Sequence, residues 1–125
     1  MSKAPQEDDK AVLAALDGIV RMQRTIRGGL DVCVDTGLVF VRTYYNNLPE
    51  NIARRLTELN PVALAAIPGA TSYQGSEKAR KNIAASVASD KAFAQAIRAA
   101  NVYREKLGYG RLGPDGNPEQ REVEV

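Results

Sequence analysis

The chain has 125 residues, 44% hydrophobic and 26% charged, with no histidine and a single cysteine. That composition excludes an imidazole general base, Ser-His and Cys-His nucleophile pairs, a thiolate zinc site and an internal disulfide. The length suits one domain with a real core, and no apolar run approaches the roughly 20 residues of a membrane span. The polar, acidic start is unlike a secretory signal, so the cytoplasm is the expected location. Charge is uneven along the chain. Residues 10–107 carry 14 Lys or Arg against 8 Asp or Glu, a net of +6, while residues 1–9 and 108–125 are each −2. A basic body with acidic ends suits nucleic acid, or a neighbouring copy whose basic surface takes up the tails.

Residues 1–9 read as a polar tail whose Asp8 and Asp9 sit ahead of the first helix and complement its dipole. An apolar stripe then keeps helical phase from Val12 to Leu48. Val12, Leu16, Ile19, Val20, Met22, Ile26, Leu30, Cys33, Val34, Leu38, Val41, Tyr44, Tyr45 and Leu48 fall on one side, and Asp17, Arg21, Arg24, Asp31, Asp35, Arg42 and Asn46 on the other. Val32 and Val39 are the exceptions, lying on the polar side. A β-hairpin over 30–45, closed at Asp35-Thr36-Gly37, is the competing reading, but Val32-Cys33-Val34 and Leu38-Val39-Phe40-Val41 break strand alternation. Cys33 on the apolar arc reads as a small buried hydrophobe.

Gly28-Gly29 leaves two forms of this N-terminal helix, 10–48. A continuous helix would be about 58 Å long and project beyond a compact body. A Gly-terminated helix would turn back and form half of an ordinary bundle. Gly37, inside the apolar arc, would let another helix approach closely.

Pro49 and Asn60-Pro61 open short helices near 49–59 and 61–67, the second ended by Pro68-Gly69. Gly69 to Gly75 superficially resembles a phosphate loop, but its spacing is wrong, Gly-Lys-Ser/Thr is missing, and it follows a helix rather than a strand; it reads as an interhelical loop. Ser76 caps a helix over 76–88. Its face of Ala79, Ile83 and Val87 is rotated by about 100° from that of Phe93, Ala96, Ile97, Ala100, Tyr103 and Leu107. The slip falls at Ser89-Asp90, a good capping pair, so a separate helix is expected over 90–107. Residues 108–125 can form neither helix nor core and read as a flexible or partner-docking arm, with a tight turn at Pro114-Asp115-Gly116. The candidate partner-binding residues of that arm are Tyr109, Arg111, Leu112, Val123 and Val125.

The expected fold is all-α: a helical bundle over 10–107 with an extended C-terminal arm. The one carboxylate pair at helical spacing, Asp31 and Asp35, could share a Mg²⁺, but it lacks a third acid and Arg27 can pair with Asp31 at i,i+4, so it reads as a solvated face. No cofactor, metal or small-molecule substrate is expected, and no enzymatic activity. The leading expectation is a non-enzymatic protein that works by packing against itself or a larger protein complex, a virion-type ring or shell subunit being one version. The alternative is a nucleic-acid-binding or regulatory protein using Arg21, Arg24, Arg54, Arg55, Lys78, Arg80 and Lys81, several of which have acidic neighbours at i,i+4, namely Asp17–Arg21, Glu50–Arg54 and Arg54–Glu58.

Overall fold

Helix α1 (Pro5–Arg27) buries Val12, Leu13, Ala15, Leu16, Ile19, Val20, Met22 and Ile26. The structure is a computed structural model and describes residues 5–29, 34, 37–41, 43, 46–71 and 75–119. The apolar arc of α1 is wide because the helix packs against several others, and each large side chain it buries contributes about 1.5–3 kcal/mol. Asp8 and Asp9 lie inside the helix rather than ahead of it. Pro5 starts it, since a first-turn residue needs no N–H, and Glu7 and Asp8 complement the dipole there. Asp9 is buried and ion-paired with Lys106 at 2.9 Å.

The continuous helix does not form. The amides of Gly28 and Gly29 still donate to the carbonyls of Arg24 and Ile26, but Gly29 then takes φ +82°, the left-handed stop that a side chain disfavours. Gly37 supplies the second proof. A Cβ placed there would lie 2.8 Å from Ile26 Cδ1, although along one unbroken helix those residues would stand about 16 Å apart. The stripe therefore folds back on itself, Gly37 passing close over Ile26 and Met22. Residues 37–41 are helical, as are Val34 and Thr43, which disposes of a strand pair at those positions. Val34, Leu38 and Val41 are buried and Val39 is exposed, as their sides of the wheel predict. Cys33, Val32, Asp31, Asp35, Tyr44 and Tyr45 lie outside the described residues.

Helix α2 (Glu50–Leu59) buries Ile52 and Leu56, with Pro49 as its cap rather than its first residue. Helix α3 (Pro61–Thr71) follows after Asn60 and continues past the expected end at 67, running through Pro68. A proline near a helix end forfeits only its own N–H bond, and buried Ala63 and Ile67 hold this helix in the core.

Helices α4 (Glu77–Val87) and α5 (Asp90–Lys106) are separate, each with a serine cap: Ser76 accepts from the Ala79 amide at 3.3 Å, and Ser89 from the Ala92 amide at 3.2 Å. The rotation between their apolar faces has a tertiary cause. Helix α4 lies chiefly on α3, whereas α5 lies chiefly on α1. Buried Ala92, Ala96, Ala99 and Ala100 give α5 a small-residue face against the bundle. The architecture is an all-α bundle, and no helix among the described residues is long and apolar enough to cross a membrane.

The largest departure from expectation follows α5. Residues 108–119 are not a free arm but a hook folded onto the bundle, and Leu112 belongs to the core at 6% exposure. A chain without helix or long strand can still contribute to a core when its polar backbone groups find partners. Here Asn101 provides them: its Nδ2 donates to the Leu112 carbonyl at 2.9 Å and its Oδ1 accepts from the Leu112 amide at 2.6 Å.

Candidate functional site

The hook borders a groove whose floor is the exposed strip of α1 and whose far wall is the end of α5. On α1, residues 10, 14, 17, 21 and 24 recur at three- and four-residue steps and so share a face. One hollow, of about 400 Å³, is lined by Lys10, Leu13, Ala14, Asp17, Arg104 and Tyr109. A second is lined by Asp17, Val20, Arg21, Arg24, Arg104, Leu112, Gly116 and Pro118. Asp17 and Arg104 belong to both, joined by an ion pair of 3.0 Å.

Arg104 is the joint of this region. Beyond Asp17, its Nε donates to the Gly110 carbonyl, while its own carbonyl accepts from the Tyr109 amide at 2.7 Å. One side chain thus ties α1, α5 and the hook together. The ion pair expected between Asp17 and Arg21 gives way to it, because the long-range partner is more enclosed and also satisfies a backbone carbonyl. Among the described residues only Asp17 Oδ2 is engaged; Oδ1 is buried and finds no hydrogen-bond partner there.

The hook is closed by its own bonds. Leu112 and Pro118 form an antiparallel bridge, the Gly113 amide donates to the Asn117 carbonyl at 2.7 Å, and the Glu119 amide to the Arg111 carbonyl at 2.8 Å. At the tip, the Asn117 side chain and backbone N–H both donate to the Asp115 carboxylate. These bonds, with a smaller attraction from Arg24, hold the Asp115 pKa below the ordinary Asp value. The turn is therefore firmest above the ordinary value and loosens as pH falls through the lowered one. Gly116 has φ +78° and is pressed so closely onto α1 and α5 that a Cβ would lie 2.8 Å from Arg24 Cδ and 3.0 Å from Phe93 Cζ.

The seven basic residues of the nucleic-acid reading do not form one patch. Arg21 and Arg24 share the groove, and neither makes an ion pair among the described residues. Arg54 is held by Glu50 at 3.2 Å, and Arg55 donates to the Tyr103 hydroxyl at 2.9 Å. Arg80 and Lys81 pair with Glu77 on the first turns of α4, where Lys78 is exposed. It is the other end of α4 that meets α1: Gln23 Nε2 and Arg27 donate to the carbonyls of Val87 and Ala88. Arg27 also pairs with Asp90 at 2.8 Å and stacks over Phe93; its expected partner Asp31 lies outside the described residues.

Among the arm residues, Leu112 is taken by the chain's own core and is not free for a partner. Tyr109 is 51% exposed, Arg111 is exposed and paired with Glu105, and Val123 and Val125 lie outside the described residues. Asn101 and Arg104 were not singled out by sequence reasoning, Asp17 was read only as a partner of Arg21, and Gly116 only as a turn residue. Asn101 left one signal, an amide four residues beyond Ile97 on the apolar side of its helix; Arg104 left none, because its partner is 87 residues away.

A second surface involves Val39, Phe40, Thr43, Asn47 and Leu48. Phe40, Thr43, Asn47 and Leu48 line an open, mostly apolar hollow, and Val39, four residues before Thr43 and so beside it on the helix, is 57% exposed. No protein-family model, curated protein or solved structure matches the chain.

Proposed function

We propose that the protein is a non-enzymatic helical subunit that acts by packing against a second copy of itself through the surface around Val39, in the cytoplasm or in a particle assembled there. A virion-type ring or shell subunit is the concrete version. The observation that carries this reading is the exposed Val39 beside the apolar hollow of Phe40 and Leu48. Such a surface gains free energy when covered, at about 25 cal/mol per Å² of apolar area. A two-fold contact would set Val39 and its neighbours against the same residues of the partner copy. The test is sedimentation across a concentration series. The wild type should self-associate and Val39→Asp should shift it to monomer with its helical circular dichroism intact. A wild type that stays monomeric, or a Val39→Asp chain that assembles unchanged, overturns the reading.

A second reading, nucleic-acid binding, is supported by Arg21 and Arg24. They present two guanidinium groups that make no ion pair among the described residues, in a groove that Lys10 extends. Such groups supply the salt-sensitive part of nucleic-acid affinity.

A further inference from the structure

We infer that the groove along α1 is a site for single-stranded nucleic acid, with phosphates on Arg21 and Arg24 and an unpaired base against Tyr109. The inference rests on the nucleic-acid reading and names its ligand class. A row of cations tracking a backbone, combined with an aromatic ring on which a base can stack, is what single-strand recognition requires. Both are present on one face. Lys10 and Arg21 stand about 16 Å apart along the helix, enough for a short stretch of strand, and Arg24 lies one turn beyond Arg21.

The shape selects against a duplex. Tyr109 lies in a hollow floored by Leu13 and Ala14 and walled by Arg104. An unpaired base can enter such a recess and meet apolar carbon and a π face; a base stacked in a duplex cannot reach it. Asp17 lines the same hollow, but its Oδ1 is buried away from it, so the base is held by stacking and apolar contact rather than by that carboxylate. Asp17 also offsets the charge of Arg104, and Asp115 weakly attracts Arg24, so the attraction for phosphate comes chiefly from Lys10 and Arg21, with Arg24 adding to it.

Fluorescence anisotropy of the full chain tests this with a fluorescein-labelled oligothymidylate of about 15 nucleotides, free or annealed to its complement, at low and at physiological salt. The single strand should bind more tightly than the duplex and weaken as salt rises. Arg21→Glu, at an exposed position of α1, should cut affinity roughly tenfold at low salt. Tyr109→Ala should also cut it roughly tenfold, and Tyr109→Phe should restore it, with circular dichroism showing each variant folded. Equal or tighter duplex binding, or a Tyr109→Ala chain that binds like wild type, sinks the single-strand inference and leaves the nucleic-acid reading standing. No binding at low salt, or binding indifferent to Arg21→Glu, sinks both.

Discussion

Gly116 is the residue on which the hook turns. Its positive φ and the nearness of Val20, Arg24 and Phe93 leave a side chain no room and the wrong backbone. Gly116→Ala should therefore cost about 2 kcal/mol in urea unfolding, a value held down because the hook can lift off before α1 and α5 separate. An alanine variant as stable as wild type would show that the hook is not seated there. Asn101 works by a different principle. Both of its amide atoms are used by the Leu112 backbone, so a buried polar side chain is satisfied by a segment with no regular structure to satisfy itself. Gln23 and Asn60 are less well served: Gln23 Oε1 and both side-chain amide atoms of Asn60 are buried without a hydrogen-bond partner among the described residues.

At the level of elements, local signals located the helices well. Pro49, Asn60-Pro61, Ser76 and Ser89 mark starts because each acts through its own backbone or the next turn, and a side chain three residues from its partner needs no tertiary help. Ser89→Ala should accordingly lower stability by about 1 kcal/mol in thermal or urea unfolding, by leaving the Ala92 amide without its acceptor. A change near zero would mean that water replaces the hydroxyl. The ends were harder to read. Pro68 is a breaker by propensity, yet α3 passes it, since packing in the core outweighs one lost ladder bond. Gly28-Gly29 was ambiguous in the opposite sense, because matching phase on both sides fits a straight helix and two helices sharing one core equally well. Gly37 against Ile26 decides for the second, a contact between residues that no local rule brings together.

Across the whole molecule, the hook makes the C-terminal segment part of the fold. Removing residues 108–125 would uncover the site of Leu112 and strip Asn101 and Arg104 of partners. The truncated chain should be less stable by about 2–4 kcal/mol and still helical, measured by urea unfolding followed by circular dichroism. Unchanged stability would mean that the hook adds nothing to the core. The candidate groove was the least legible part. Arg21 and Arg24 were visible as a helical pair, but their neighbours Arg104 and Tyr109 come from the far end of the domain, and the other five basic residues are dispersed by the bundle. Periodicity, capping residues and the missing histidine determined the all-α class, the helix starts and the chemistry closed to this chain, because those follow from groups within a few residues of one another. Only the tertiary structure decided the turn at Gly29, the pairing of Asp17 with Arg104 and the burial of Leu112. Each depends on which faces meet, and that is set by the shape and hydrogen-bonding needs of segments distant in the chain.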